Sequence, residues 1–381
     1  MNRIYTDDHE LFRQSFRSFL EAEVMPRFEE FEHAGVMDRQ VYAEAGKHGF
    51  VGFNVPEAYG GGGSDDFRFN AIIAEELAAV GAGGGGLGLT LHNDIVSPYF
   101  VTYCNDEQAA RWLPGIASGE LITAIAMTEP GTGSDLAGVQ TTAVRDGDEW
   151  VLNGAKTFIT NGINSDLVIV VCRTDPAAGR GGISLLVVER GMPGFERGRN
   201  LDKIGQKSAD TAELFFSDVR VPAANMLGEE GKGFQYLGFN LAQERLSIGM
   251  YGLAAAKAAL DWTVEYTRER VAFGQPIAAF QNTKFVLAEV ATELAVTEPF
   301  VDQCVMKHNT KELSPAEAAM AKLWGTELQK RTVDRCLQFF GGYGYMAEYP
   351  IARAYAEARV ATIYGGTSEI MKTIIAKEVL G

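Results

Sequence analysis

Cysteine is scarce in this 381-residue chain and badly spaced for metal or disulfide chemistry. Cys104, Cys172, Cys304 and Cys336 stand far apart and form no CxxC pair. Free thiols in a reducing compartment are therefore expected. The five histidines show no HExxH or related spacing, so no metal site is expected. Positive charge is also short: 34 Lys and Arg face 50 Asp and Glu, a formal net charge of −16. That balance excludes a general nucleic-acid binder, which needs a basic footprint. It leaves room for an anionic small ligand, because local cations and helix N-termini bind phosphate even in acidic proteins. No apolar run reaches the roughly 18 residues of a bilayer span. The N-terminus turns acidic at Asp7-Asp8 with no apolar signal core. The expectation is a cytoplasmic protein with no membrane span.

What is present is an ordinary globular composition, 46% hydrophobic and 22% charged, on a chain too long for one core. Three regions differ in pattern. Residues 1–120 read as a small helical domain: Phe12, Phe16 and Phe19-Leu20 recur at helical spacing, with further short helices at Phe67 to Val80 and Asp106 to Ile116. Residues 121–228 read as a β domain. Thr141 to Arg145 and Glu149 to Leu152 flank Asp146-Gly147-Asp148, a hairpin signal, and Leu167 to Cys172, Ile183 to Val188 and Ala212 to Phe216 are further strand-like runs. No long helix separates them, which favours an antiparallel barrel or sandwich. Residues 229–381 read as long helices over 232–270, 279–310 and 314–339 and from 367 onward, a C-terminal four-helix bundle. The fold class is α+β.

Several segments carry chemistry. Gly83-Gly84-Gly85-Gly86-Leu87-Gly88 contains a formal GxGxxG, but the residues before it are helical where a dinucleotide site needs a strand; a flexible or closely packed turn is expected. Ala126 to Asp135 runs from an apolar strand into a Pro/Gly turn rich in hydroxyls, where glycine lets backbone N–H groups approach a phosphate-bearing ligand. Lys156 to Gly162 forms a second polar strand segment. Glu244 interrupts the apolar helical stripe of Leu237, Leu241 and Ile248, and a carboxylate there needs a partner because burying a lone charge is costly.

With Arg268 to Pro276, Gln338 to Gly344 and Ile363 to Ile370, these segments resemble the acyl-CoA dehydrogenase family over essentially the whole chain, most closely its long-chain branch. The resemblance implies FAD bound between the β domain and the bundle. Ile125, Ala126, Met127, Thr128, Gly133 and Ser134 would wrap the flavin, with Ser134 also touching the acyl-CoA. Phe158, Ile159 and Thr160 would pack on the isoalloxazine. Arg270, Phe273 and Gln281 would reach the pyrophosphate region across a subunit interface, with Gln338, Gly341 and Gly342 on the adenosine side. Thr367, Ser368 and Glu369 would form a cofactor-contacting tail, while Gln243, Arg245 and Gly366 would join Ser134 around the substrate. The helix from Leu87 to Tyr103 would line the acyl pocket. A homotetramer, an electron-transfer flavoprotein as partner and a place in fatty-acid or branched-acyl β-oxidation are further implications.

One position departs from the commonest family pattern. Many members carry a catalytic glutamate where this chain has Gly365. In the long-chain and isovaleryl branches the base comes instead from the first bundle helix, and Glu244 matches it. The resemblance thus implies α,β-dehydrogenation of an acyl-CoA thioester, with Glu244 removing the α-proton and the Gly365 N–H binding the thioester oxygen. Read without it, Glu244 is a structural ion-pair partner of Arg245 or Arg270. Glu369 is a rival base, although the first turn of a helix attracts carboxylates for dipole reasons. An acyl-CoA oxidase, a non-catalytic flavin-binding subunit and a flavin-independent CoA-binding protein are the competing functions. An oxidase would ordinarily carry a further C-terminal domain beyond Gly381.

Overall fold

The structure, a computed structural model, describes residues 4–381. Seven helices come first: α1 (Asp7–Phe19), α2 (Phe28–Ala34), α3 (Arg39–Lys47), α4 (Arg68–Ala79), α5 (Gly83–Thr90), α6 (Ser97–Tyr103) and α7 (Asp106–Ala117). Local chemistry explains their ends. Asn105 accepts from the Gln108 N–H at 2.9 Å while the Gln108 side chain accepts from the Asn105 N–H at 3.0 Å, a reciprocal cap that starts α7. The expected aromatic stripe of α1 buries Phe16 and Phe19 against Phe50.

The glycine cluster corrects the sequence expectation. It is not a turn but helix α5, which runs through a widened π-type turn at Leu91–Val96 into α6. Glycine costs about 1 kcal/mol per helical position, so packing must override propensity here. A Cβ on Gly83 would lie 1.4 Å from the Tyr251 hydroxyl, and one on Gly88 would lie 2.0 Å from that of Tyr42. Of the two alternatives expected, flexible or closely packed, the second holds, but in a helix and not a turn.

The middle region is a curled seven-stranded sheet of β1 (Thr123–Ala126), β2 (Thr142–Asp146), β3 (Glu149–Thr160), β4 (Leu167–Arg173), β5 (Ile183–Glu189), β6 (Phe195–Asn200) and β7 (Thr211–Pro222). The foreseen hairpin joins β2 to β3 through Gly147-Asp148, with Asp146 opposite Glu149. Pairing is mostly antiparallel, but β1 lies parallel to β4. Burial on both faces explains the apolar run of β4 and that of β5, which only the buried Ser184 interrupts. Leu167, Ile169 and Val171 face a cluster shared with Tyr99, Phe100 and Leu237, while Val168, Val170 and Cys172 face the inner β core.

The last region holds α8 (Gly233–Glu269), α9 (Gln281–Asn309), α10 (Pro315–Phe340), α11 (Pro350–Ala361) and α12 (Ser368–Leu380), with the small hairpin β8 (Val271–Ala272) and β9 (Gln275–Pro276) between α8 and α9. Helix α11 was not foreseen. Helices α8 and α10 touch backbone to backbone: a Cβ on Gly249 would sit 2.6 Å from the Ala321 carbonyl oxygen, and one on Gly325 would sit 2.5 Å from that of Gly249. Among the described residues no helix is long and apolar enough to cross a membrane.

Gly249→Ala should therefore cost about 1–3 kcal/mol through overpacking. Gly238→Ala, on the same helix with open space around it, should be neutral or stabilising by up to about 1 kcal/mol. Thermal melts of the two variants check the contrast; equal effects would exclude the backbone contact as the cause.

Candidate active site

The loop after β1 is locked to β3 by a buried ion pair. Lys156, fully inside the protein, donates to the Met127 carbonyl oxygen and to Glu129 Oε1, both at 2.9 Å. Glu129 also accepts the backbone N–H groups of Gln140 at 2.7 Å and Thr141 at 2.9 Å. Burial alone would raise the Glu129 carboxyl, yet these donors and the ammonium hold it below the usual range. Thr157 N–H donates to Thr128 O at 3.0 Å, so the two polar segments singled out in the sequence form one unit. Ile125 and Met127 pack on the cluster that contains Tyr99, Ala126 is buried, and Gly133 and Ser134 are exposed on the loop.

Phe158 lies where the β3–β7 register shifts between Lys156 and Ile159. Its φ is +61°, and its ring is 68% exposed. A left-handed backbone and a bare phenyl are both costly unless something covers the ring. Thr160 is half-buried beside it. Ile159 differs from the expectation: alternation along the strand sends its side chain into the β core, so of the three only Phe158 and Thr160 present side chains outward.

Glu244 is 5% exposed on α8, and its Oε1 accepts a hydrogen bond from the Tyr99 hydroxyl of α6 at 2.9 Å. Burial pushes its pKa up to about 7, against the pull of the Tyr99 hydrogen bond and the Arg245 guanidinium. No ion pair to Glu244 occurs among the described residues. Arg270 is no partner, because it follows 26 residues later and caps the far end of α8, about 39 Å along the axis. A second buried carboxyl, Asp94, accepts from Asn70 at 2.7 Å and Ser247 at 2.5 Å, and its backbone oxygen accepts from Gln243 at 2.7 Å. Burial raises Asp94 to about 7 as well. Arg245 is buried, and its Nε has no hydrogen-bond partner.

The tail returns to this place. Gly365 has φ +60°, and a Cβ there would lie 2.1 Å from Ile248 Cδ1, one helical turn beyond Glu244. The Gly366 carbonyl oxygen accepts from the buried Lys322 ammonium of α10 at 2.6 Å. Thr367 caps α12, its hydroxyl accepting the Ile370 N–H at 3.3 Å, and the Ser368 hydroxyl donates to Glu327 at 3.1 Å. Glu369 is exposed, with its pKa lowered by the backbone N–H and the Thr367 hydroxyl at the start of α12. That is the dipole role, well suited to solvent.

A separate open cleft of about 410 Å³ lies in the bundle, lined by Tyr266, Arg270, Phe340, Gly341, Gly342 and Tyr343 among others. Arg270 sits 6.0 Å from the Tyr343 ring centroid, and nothing would obstruct a Cβ at Gly341 or Gly342. Cation, aromatic rings and bare backbone suit a nucleotide phosphate. Gln338 and Gln281 are exposed outside the cleft lining. Phe273, at the tip of the β8–β9 hairpin with φ +52°, is 94% exposed.

Tyr99, Asp94 and Lys322 are the functional candidates that sequence reasoning missed. Tyr99 lay within the helix expected to line the acyl pocket, but nothing marked that hydroxyl; Lys322 reads as an ordinary solvent-facing helical lysine.

Three family models match the chain in succession: acyl-CoA dehydrogenase N-terminal domain over residues 6–120, middle domain over 124–219 and C-terminal domain over 231–380. The mitochondrial long-chain specific acyl-CoA dehydrogenase of Sus scrofa is 50% identical over 382 residues, covering 100% of this chain and 88% of that protein. An acyl-CoA dehydrogenase structure from Geobacillus kaustophilus aligns with a TM-score of 0.96 at 49% identity, covering 100% of both chains. An acyl-CoA dehydrogenase from Bacillus anthracis complexed with FAD aligns with a TM-score of 0.92 at 33% identity, covering 99% of this chain and 67% of that one.

The raised carboxyl makes a stability prediction. Glu244 holds its proton more tightly when folded, so its contribution is complete below about pH 4.5 and is lost as pH rises through about 7. At about pH 8 the buried charge costs up to about 3 kcal/mol. Glu244→Gln should therefore melt higher than the parent at about pH 8, with the gain vanishing near pH 4.5. A gain independent of pH would contradict the raised carboxyl.

Proposed function

The chain belongs to the acyl-CoA dehydrogenase family, and from that premise we propose that it converts an acyl-CoA thioester to the trans-2-enoyl-CoA with Glu244 as the base. The observation that carries this reading is a buried carboxyl with a pKa of about 7, one helical turn from the residue that packs on Gly365. A base poised near the operating pH has a large ionised fraction and still holds a proton well once it gains one.

The family is FAD-dependent, and this chain's residues fit that cofactor. An outward-turned Phe158 stands beside a glycine-rich loop, and a phosphate-suited cleft surrounds Arg270. When bound, FAD supplies the acceptor for the β-hydride. The chain's own residues do the rest. Glu244 takes the α-proton onto its carboxylate, and the electrons of that C–H bond enter the new double bond as the β-hydride departs with its pair. The Gly365 N–H donates to the thioester oxygen, where negative charge develops. Tyr99 holds the carboxylate in one rotamer. Gln243, Arg245, Gly366 and Ser134 would surround the thioester and CoA.

The same reading extends to assembly and partner. Phe273 at an exposed hairpin tip supports insertion of that hairpin, with Arg270 and Gln281, into a neighbouring subunit's cofactor site. A homotetramer would complete each site in this way. Electrons would leave to an electron-transfer flavoprotein in acyl β-oxidation, in the cytoplasm.

Glu244→Gln should keep bound FAD and its visible absorbance, yet slow flavin reduction by acyl-CoA about 10²–10⁴-fold. Anaerobic stopped-flow mixing with acyl-CoAs of varied length and branching measures this and reports the preferred substrate. Near-normal reduction would sink the base assignment. Restoring a carboxylate through Gly365→Glu requires room, because its Cβ collides with Ile248. In the Glu244→Gln background, Gly365→Glu with Ile248→Ala should therefore recover more activity than Gly365→Glu alone. No difference would exclude the shared geometry.

A further inference from the structure

Lys322 is a fully buried lysine on α10, and it forms no ion pair among the described residues. Its ammonium spends one proton on the Gly366 carbonyl oxygen at 2.6 Å. The charged groups that act on it are Arg245 of α8, Glu327 of its own helix and Glu369 of α12. Leucine or methionine would fill the same space without the cost of desolvating a charge. Packing alone therefore does not call for a lysine here.

The turn it grips is intrinsically loose. Gly365 and Gly366 take φ values of +60° and +97°, and two adjacent glycines sample many alternatives when unrestrained. A donor works in a transition state only if it is already aimed when charge develops. Other restraints on the turn include Ser368 N–H to the Thr362 oxygen at 3.1 Å, the Ser368 hydroxyl to Glu327, Gly365 against Ile248 and Gly366 against Met371. Among the described residues only Lys322 holds the Gly366 peptide oxygen directly.

We propose that Lys322 is a positioning residue of this active site, its ammonium clamping the Gly365–Gly366 turn so that the Gly365 N–H stays aimed at the thioester oxygen. This rests on the role of Gly365 proposed above. The same unpaired positive charge lies beside the turn, so it also favours negative charge on that oxygen. Burial, with the Arg245 guanidinium adding to it, draws the lysine down to about 8, which leaves most of it protonated at neutral pH.

A β-thia acyl-CoA tests the clamp directly. It has an acidic α-carbon but a sulfur where the hydride would leave, so it reports proton removal without turnover. Its enolate, stacked on oxidised flavin, gives a long-wavelength charge-transfer band. In the FAD-loaded enzyme, Lys322→Met should retain FAD and bind the analogue within about threefold, yet ionise it about tenfold or more less. With true substrate, kcat should fall by a similar factor while KM changes little. Lys322→Arg, which keeps charge and donors, should recover part of the band.

A full-strength band in Lys322→Met overturns the proposal. If that variant loses FAD or unfolds, Lys322→Gln is read by the same criteria. Loss of FAD in both would assign the lysine to folding alone and equally overturn it. Glu244→Gln in the same assay separates the two readings. A band surviving Glu244→Gln sinks the base assignment, whereas a band lost there but intact in Lys322→Met sinks only the clamp.

Discussion

Helices α8 and α10 approach so closely that Gly249 and Gly325 leave no room for a methyl group on either side. That contact sets the distance between two sets of side chains with opposite tasks. Just N-terminal to it on α8 stand Glu244, Arg245 and Ile248; on the facing turns of α10 stands Lys322. The tail between α11 and α12 is pressed between them, with Gly365 on Ile248 and Gly366 on the Lys322 ammonium. A wider helix pair would still be a bundle, but the turn would lose its grip on one side or the other. The glycines in these helices are thus a cost in helix propensity that fixes where the chemistry stands.

The site is also a place where the protein gives up stability. Among the described residues no cation is bonded to the buried carboxyls Glu244 and Asp94, each of which accepts from neutral donors: Tyr99 for one, Asn70 and Ser247 for the other. Among the described residues Lys322 is a buried ammonium with no ion pair, although Glu327 and Glu369 act on it from a distance. A salt bridge to Glu244 would lower that carboxyl's pKa. Contrast Lys156 and Glu129, which are buried and do pair. Their task is to fix the loop after β1, and pairing serves it.

How much of this was legible depended on whether a residue's role left a trace in local pattern. Glu244 broke an apolar stripe and could be singled out. The buried strands β4 and β5, the hairpin at Gly147-Asp148 and the long bundle helices follow periodicity or turn chemistry, and they were readable. Helix α5 was not, because five glycines signal a turn unless one knows that Tyr42, Leu77 and Tyr251 occupy the space their side chains would need. Strand β6 is short and polar, and α11 is an alanine-rich three-turn helix with no clear stripe; the place of both is set by tertiary contacts. Tyr99 and Lys322 look ordinary along the chain: a tyrosine in an aromatic run, and a lysine in an alanine-rich helix. Their significance comes from a hydrogen bond across 145 positions for one and 44 for the other, which no local window contains.

The burial of Glu244, only partly offset by the hydrogen bond from Tyr99, has a consequence for direction. A carboxyl raised to about 7 is present in both ionised and protonated forms near neutral pH. In the reaction proposed for Glu244, the anion would accept an α-proton from a saturated thioester. The acid would return a proton to an enoyl thioester. On that proposal neither form would need a large protonation change before it engaged its own partner, so the site would serve both senses of the same bond change. Which sense prevailed would then be decided by the redox poise of the bound flavin and its electron partners, and much less by the proton.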